Sequence, residues 1–262
     1  MKLKALLLGL ATALAISATA SAAIRSYTCG NKFSRIKIET GVPVEYAVSS
    51  GPVSIEAEGS DEYLQDLKIS VKNGELWIRM ERKDGRSINI NQKTLIRVSV
   101  SGPMLENIEA SSGARFKSRS AFGLGNKNFK VDTSSGSNVE IDGSVTCGNL
   151  SVSTSSGSKV EIERCSAAKS VKVDASSGSK AELECVTAML DINASSGASV
   201  SAEGTAGTAS INASSAAKID ATDIIAEKMT VDASSGSSVW HSTPKAVEKK
   251  SSGATIKYRG RK

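Results

Sequence analysis

The sequence predicts an all-β chain: a single-stranded, right-handed parallel β-helix with coils of about 20 residues, preceded by an irregular β cap. Three observations predict it. Short runs alternate apolar and polar residues, as in Val171-Lys172-Val173-Asp174, which is the period of a strand with one buried face. A Ser-Ser-Gly turn follows, and then a second short alternating run such as Val160-Glu161-Ile162. The whole line then recurs: "VDTSSGSNVEI" from Val131, "VSTSSGSKVEI" from Val152, "VDASSGSKAEL" from Val173, "INASSGASVSA" from Ile192, "INASSAAKIDA" from Ile211 and "VDASSGSSVW" from Val231.

The residue closing each turn is Gly113, Gly136, Gly157, Gly178, Gly197, Ala216, Gly236 and Gly253, in steps of 23, 21, 21, 19, 19, 20 and 17. A step near 20 with short strands indicates a solenoid. The leucine-rich line L-x-x-L-x-L-x-x-N and the calcium-binding G-G-x-G-x-D-x are both absent. A parallel β-helix needs only short strands, small turn residues and aliphatics at matching positions. Each coil climbs about 4.8 Å, so eight turns give a rod about 35–40 Å long. The right hand follows from the general preference of parallel crossovers.

Stacking explains the repetition. Residue n of one coil lies on residue n of the next, so like side chains form columns. Val131, Val152, Val173, Ile192, Ile211 and Val231 form one inward column. Val139, Val160, Ala181, Val200 and Val239 form a second, with Ile141, Ile162 and Leu183 beside it. The turns form a ladder of serine hydroxyls along one edge. The Gly slot has two accounts, a positive φ or close stacking. Ala216 in that slot favours close stacking, in which case Val at position 178 crowds Gly157 and Gly197.

From the amino terminus, residues 1–22 read as a signal peptide: Lys2 and Lys4, an apolar run over 6–16, and the small-x-small site Ala20-Ser21-Ala22. The run is shorter than the roughly 20 residues of a membrane span, and no later segment is a spanning helix. Ser26-Tyr27-Thr28 before Cys29 is not a lipobox. Residues 23–105 are expected to form the β cap or irregular first coils. Within them Leu67, Ile69 and Val71 alternate, Asn73-Gly74 turns, and Leu76, Ile78 and Met80 return, a hairpin pattern. Residues 106–258 are the regular coils, and 259–262 the basic end of the tail. A cap is needed to cover the first coil.

The chain has 33 basic and 27 acidic residues; Lys2 and Lys4 leave with the signal, so the mature excess is +4. Seven basic residues lie between 245 and 262, against one acid, Glu248. The remainder is close to neutral, the tail reads as solvated, and no nucleic-acid motif is present, so no nucleic-acid partner is expected.

Catalytic constellations are not visible. The one histidine, His241, stands apart from any nucleophile pattern, and there is no C-x-x-C pair and no His-rich metal motif. No cofactor is expected. Asp132, Asp174, Asn193, Asn212 and Asp232 share the slot before the turn, with Ser153 in the gap. That column suits either a ladder of hard cations or Asx-turn bonds to the following backbone; interchange of Asp with Asn favours the second. Four cysteines fit an oxidising compartment and allow three connectivities. Cys165 and Cys185 lie 20 apart, close to one coil, and both follow the second strand of a unit, so a Cys165–Cys185 disulfide is expected, with one residue of slack in the connector. Cys147 and Cys165, 18 apart, compete with it.

The order of an alternating opener, the "NGELWI" hairpin, "VSVSGPMLENIEASSG" and serial "SSGS-x-V-E" units resembles the head GIN domain family of bacterial exported proteins, over about residues 31–258. The resemblance implies a β-helical exported domain in the periplasm or on the outer surface of a Gram-negative cell, with an adhesive role and no catalytic motif. The expectation is a non-catalytic binding, adhesin-like or structural protein whose partner is a cell-surface glycan or an envelope protein. The alternative is a β-helical enzyme acting on polysaccharides, which would cluster acids and bases outside the repeated slots; every acid here sits in a slot.

Overall fold

The computed structural model describes residues 23–28, 32–81 and 96–260. The expected signal peptide at 1–22, Cys29 and the last two residues of the tail lie outside them. Strand makes up 67% and helix 2%, in a solenoid of about eight turns. The strands are β1 (Ala23–Tyr27), β2 (Arg35–Ile38), β3 (Pro43–Val48), β4 (Ser54–Gly59), β5 (Leu67–Lys72), β6 (Glu75–Met80), β7 (Arg97–Gly102), β8 (Asn107–Ala110), β9 (Arg115–Ser118), β10 (Phe122–Gly123), β11 (Asn128–Thr133), β12 (Asn138–Thr154), β13 (Lys159–Ala175), β14 (Lys180–Ala194), β15 (Ser199–Ala213), β16 (Lys218–Ala233), β17 (Ser238–His241), β18 (Val247–Lys250) and β19 (Thr255–Tyr258); α1 (Asp61–Leu64) is a single turn.

From β8 onward each rung pairs in parallel with the next. The register runs Val131 to Val152, Val173, Ile192, Ile211 and Val231. The second column runs Val139, Val160, Ala181, Val200, Ile219 and Val239, so Ile219 joins the members read from the repeat. These side chains are at most 1% exposed. Burying a Val or Ile contributes about 1.5–3 kcal/mol of apolar transfer, and along each column aliphatic side chains pack on the like-placed residues of neighbouring rungs. Outward positions between them carry ion pairs: Lys117 with Glu140, and Lys159 with both Glu161 and Glu182.

The N-terminal part is built differently. β5 and β6 form the expected hairpin, with Val71 opposite Leu76 and positive φ at Asn73 and Gly74. β4 runs antiparallel to β1 and β7. β2 and β3, however, already stack in parallel on the coils. β2 lies between β6 and β8, and β3 between β7 and β9. Spatial order therefore departs from chain order: β2 and β3 sit between β6 and β7 on one side and β8 and β9 on the other. The larger side chains gather here, with Tyr46 on Phe116 (5.9 Å between ring centres) and Phe122 on Phe129 (5.4 Å).

The turns correct one expectation. Ser177 and Gly178 have φ of +53° and +70°, and the Ser179 amide donates to the Ser176 carbonyl at 3.2 Å. Two successive positive φ values closed by that bond make a type I′ turn. Every turn of the column repeats it, including Ala216 at +61°. A Cβ at Gly178 would meet nothing within 4 Å, so close stacking is not what holds the slot, and Gly157 and Gly197 would not be crowded. The slot needs the left-handed region, which costs an L residue roughly 1–2 kcal/mol.

Backbone bonds link the turns along the rod: Gly178 N–H donates to the Ser196 carbonyl and Gly157 N–H to that of Ser177, each at 3.0 Å. The residue after the Gly points inward. Where it is serine, its buried hydroxyl donates to the backbone, as Ser179 does to Thr154 (2.9 Å) and Ser237 to Ala213 (3.0 Å). Small hydroxyls fit this slot because a neighbouring carbonyl satisfies each of them.

A polar groove along the turn edge

Each coil bends sharply where the strand ends and the turn begins. The inward residue at that bend is small: Ala110, Thr133, Thr154, Ala175, Ala194 or Ala213. Small residues repeated at one bend leave a furrow parallel to the axis. Its volume is about 820 Å³, and it runs from the rung of Glu109 to that of Asp232. Six steps of about 4.8 Å make it about 29 Å long.

One wall is the column before the turn. The structure stacks Glu109, Asp132, Ser153, Asp174, Asn193, Asn212 and Asp232 in register, as the repeat requires. Neither reading of this column survives. Among the described residues none of these side chains bonds the following backbone, and no group of three or more His, Cys, Asp or Glu could hold a metal ion. Instead the side chains bond along the axis. Asn193 Nδ2 donates to Asp174 Oδ1, and Asn212 Nδ2 to Asn193 Oδ1, both at 3.0 Å. The carboxylates take lysines: Asp132 with Lys130 (2.7 Å), Asp174 with Lys172 (2.9 Å), Asp232 with Lys249 (3.6 Å) and Glu109 with Lys37 (2.6 Å). Pairing neutralises the repulsion that stacked carboxylates would feel. Such solvent-facing pairs contribute about 0–1 kcal/mol each, so they exchange readily for other partners.

The other wall is the first serine of each turn, Ser134, Ser155, Ser176, Ser195, Ser214 and Ser234. Their amides are used between coils, as in Ser176 N–H to the Thr154 carbonyl at 3.0 Å. Their hydroxyls have no partner among the described residues. The groove thus offers unpaired hydroxyls on one side and amide and carboxylate oxygens on the other, at one fixed spacing. The ladder of serine hydroxyls read from the repeat is present along this edge; the sequence did not show that the first serine of each turn keeps its hydroxyl unpaired.

The outward column continues past the groove. Lys37 stacks on Glu109 and Trp77 on Lys37. Trp77 donates from Nε1 to Glu39 (2.9 Å), and the Arg79 guanidinium covers its face at 4.1 Å. At the opposite end Lys249 follows Asp232.

The other sequence-singled residues lie elsewhere. His241 is 1% exposed, with Nε2 3.0 Å from Glu248 Oε1 and its ring 5.9 Å from that of Tyr258. Glu248 occupies the slot held by Val231 one rung below. The pair sits where the aliphatic column ends, above Val231. Cys165 and Cys185 are direct partners in the register, and both are buried. A β-bulge between Ile162 and Cys165 takes up the one-residue slack.

A family model described as "Putative auto-transporter adhesin, head GIN domain" matches residues 32–184 and 151–261. Among solved structures, a "Putative lipid binding protein" from Parabacteroides distasonis covers 90% of this chain and 97% of its own, at 13% identity and a TM-score of 0.78. A "putative adhesin" from Parabacteroides distasonis covers 90% and 96% at 14% identity and a TM-score of 0.68. Another, from Parabacteroides merdae, covers 91% and 96% at 16% identity and 0.66. At these identities the likeness is one of fold. No curated protein matches the chain.

Proposed function

Because the chain belongs to the head GIN domain family, described as an adhesin family and matched from residue 32 onward, we propose that it is an exported, non-catalytic, adhesin-like protein that holds an extended neutral polysaccharide along its turn-edge groove. The observation that carries this reading is the groove itself: two polar columns in register over about 29 Å, with one set of hydroxyls unpaired. A linear polyhydroxy chain presents donors and acceptors repeatedly along one direction, and so does this furrow. Four carboxylates line one wall, Glu109, Asp132, Asp174 and Asp232. They accept bonds from sugar hydroxyls, and because each is paired with a lysine the wall offers no excess of cations to hold uronates or sulfates. Neutral glycans therefore fit, and the acidic polymers that β-helical lyases cleave do not. The groove holds no histidine, and its acids are spread along a repeat and paired with lysines, which supports binding without turnover.

The test is a panel of neutral and acidic polysaccharides, read by affinity electrophoresis and by assay for new reducing or unsaturated ends. Ser176→Trp, which fills the furrow at mid-length from a half-buried position on its wall, is run beside the unsubstituted protein. Binding to one or more neutral polymers, loss of it in Ser176→Trp with the melting temperature kept, and no new ends are the expected results. Turnover of any polymer would establish the enzyme instead. Binding confined to acidic polymers, or to an envelope protein and no polysaccharide, would refute the groove's assignment.

A further inference from the structure

Three buried thiols lie together on the side of the solenoid away from the groove. Cys165 and Cys185 belong to one inward column, which reads Phe122, Val145, Cys165, Cys185, Gly204 and Ile224. Each of the two sulfurs has the other as its only sulfur-bearing neighbour in the stack. Direct partners on adjacent strands are about 4.8 Å apart at Cα, inside the roughly 4.4–6.8 Å that a disulfide accepts. Cys147 belongs to the adjoining column, where it stacks on Ala167, and Cys165 partners Val145, two residues before it. One strand across and two residues along places Cys147 about 8 Å from Cys165 at Cα, beyond the roughly 7 Å that can be bridged without moving backbone. Its thiol nevertheless lies near enough to that of Cys165 for each to influence the other's ionisation.

We infer that Cys165 and Cys185 join in a disulfide when the chain folds under oxidising conditions, with Cys147 left as a thiol beside it. In forming the bond, each thiol gives up a proton and an electron. An incoming disulfide, of glutathione or of a protein thiol oxidase, accepts both electrons and both protons and leaves as two thiols. The exchange precedes complete stacking, since the folded chain disfavours it. Burial pushes the Cys185 thiol up to about 12, and the nearby Cys147 thiol together with burial pushes Cys165 up as well, so neither supplies thiolate once packed. The same burial protects the finished bond. Gly204 leaves the space over Cys185 without a side chain, and a Cβ there would come within 2.0 Å of the Cys185 carbonyl oxygen. The rung above is thus shaped to let the Cys185 strand sit close.

The experiment is refolding of the unfolded, reduced full chain in a glutathione redox buffer, then denaturation in an alkylating reagent and digestion with trypsin without reductant. Cleavage after Arg164 and Lys169 isolates Cys165, and cleavage after Lys180 begins the peptide holding Cys185. The expected product links those two peptides, with Cys147 alkylated. The link should persist in Cys147→Ser. It should survive millimolar dithiothreitol in the folded protein and be lost on adding denaturant. A link from Cys165 to Cys147, or alkylation of both Cys165 and Cys185 after refolding to the native circular dichroism spectrum, would overturn the inference. Refolding supplies the oxidant directly, so the outcome does not depend on export or on the groove's ligand.

Discussion

At Ala216 the chain accepts with a methyl group the conformation that seven glycines adopt in the same column, Gly113, Gly136, Gly157, Gly178, Gly197, Gly236 and Gly253. The open space around those glycines means that φ alone sets the cost of a side chain. Ala216→Gly removes a left-handed strain of roughly 1–2 kcal/mol and returns part of it, about 0.4–1 kcal/mol, through a freer unfolded chain. A net stabilisation of about 0.5–1 kcal/mol is expected in urea denaturation. Gly178→Ala should lose a similar amount, and Gly178→Val more, because β-branched residues are outliers at positive φ. The double variant Gly157→Ala/Gly178→Ala should be additive to within about 0.5 kcal/mol, whereas crowding between coils would couple the two sites. A destabilised Ala216→Gly would contradict the φ account. The sequence pointed the other way here. An Ala in a Gly slot looks like proof that no special φ is needed, and only the torsion angle shows that the alanine is itself strained.

At the scale of elements, the glycines divide into two kinds that the sequence does not separate. Those in the turns face open space. Gly204, on the side of the solenoid that carries the cysteines, has φ +112° and sits so close to the strand below that a Cβ would overlap the Cys185 carbonyl oxygen at 2.0 Å. Gly204→Ala should therefore cost several kcal/mol, on the order of 3 or more, since backbone must move on two rungs at a site with a sparse φ. Gly236→Ala, in an open turn, should cost about 1 kcal/mol. Equal losses in the two, measured by denaturant titration, would contradict this division. The aliphatic columns were legible because one face of each strand is buried against copies of itself, so Val131 through Val231 recur at matched positions. The hairpin at Asn73-Gly74 was legible because Asn-Gly between alternating runs is the strongest short-range signal for a two-residue turn with two positive φ values. The rung order of the cap was not: alternation in β2 and β3 shows a buried face and says nothing about which strands lie on either side. The groove was half legible. Asp132, Asp174, Asn193, Asn212 and Asp232 were visible as a column, but their bonds run between coils, and sequence gives each residue's neighbours along the chain first.

For the whole molecule, parallel stacking gives a linear object with two ends and one long edge, and charge is distributed accordingly. The last strands carry Lys249, Lys250 and Lys257, and β18 is exposed throughout. Lysines on an exposed strand oppose edge-to-edge pairing. The turn edge between the two ends is the surface that repeats, and a repeating surface binds a repeating ligand in proportion to the rungs engaged. The measurement that tests this most directly is affinity against chain length, taken by calorimetry on a size series of the neutral linear oligosaccharide selected by the polymer panel. The account predicts that affinity rises with each added sugar until the ligand spans about 29 Å, the six steps from Glu109 to Asp232, and then levels off, with every oligosaccharide recovered intact. Full affinity already at one or two sugars, or shortening of the longer members during the titration, would contradict it.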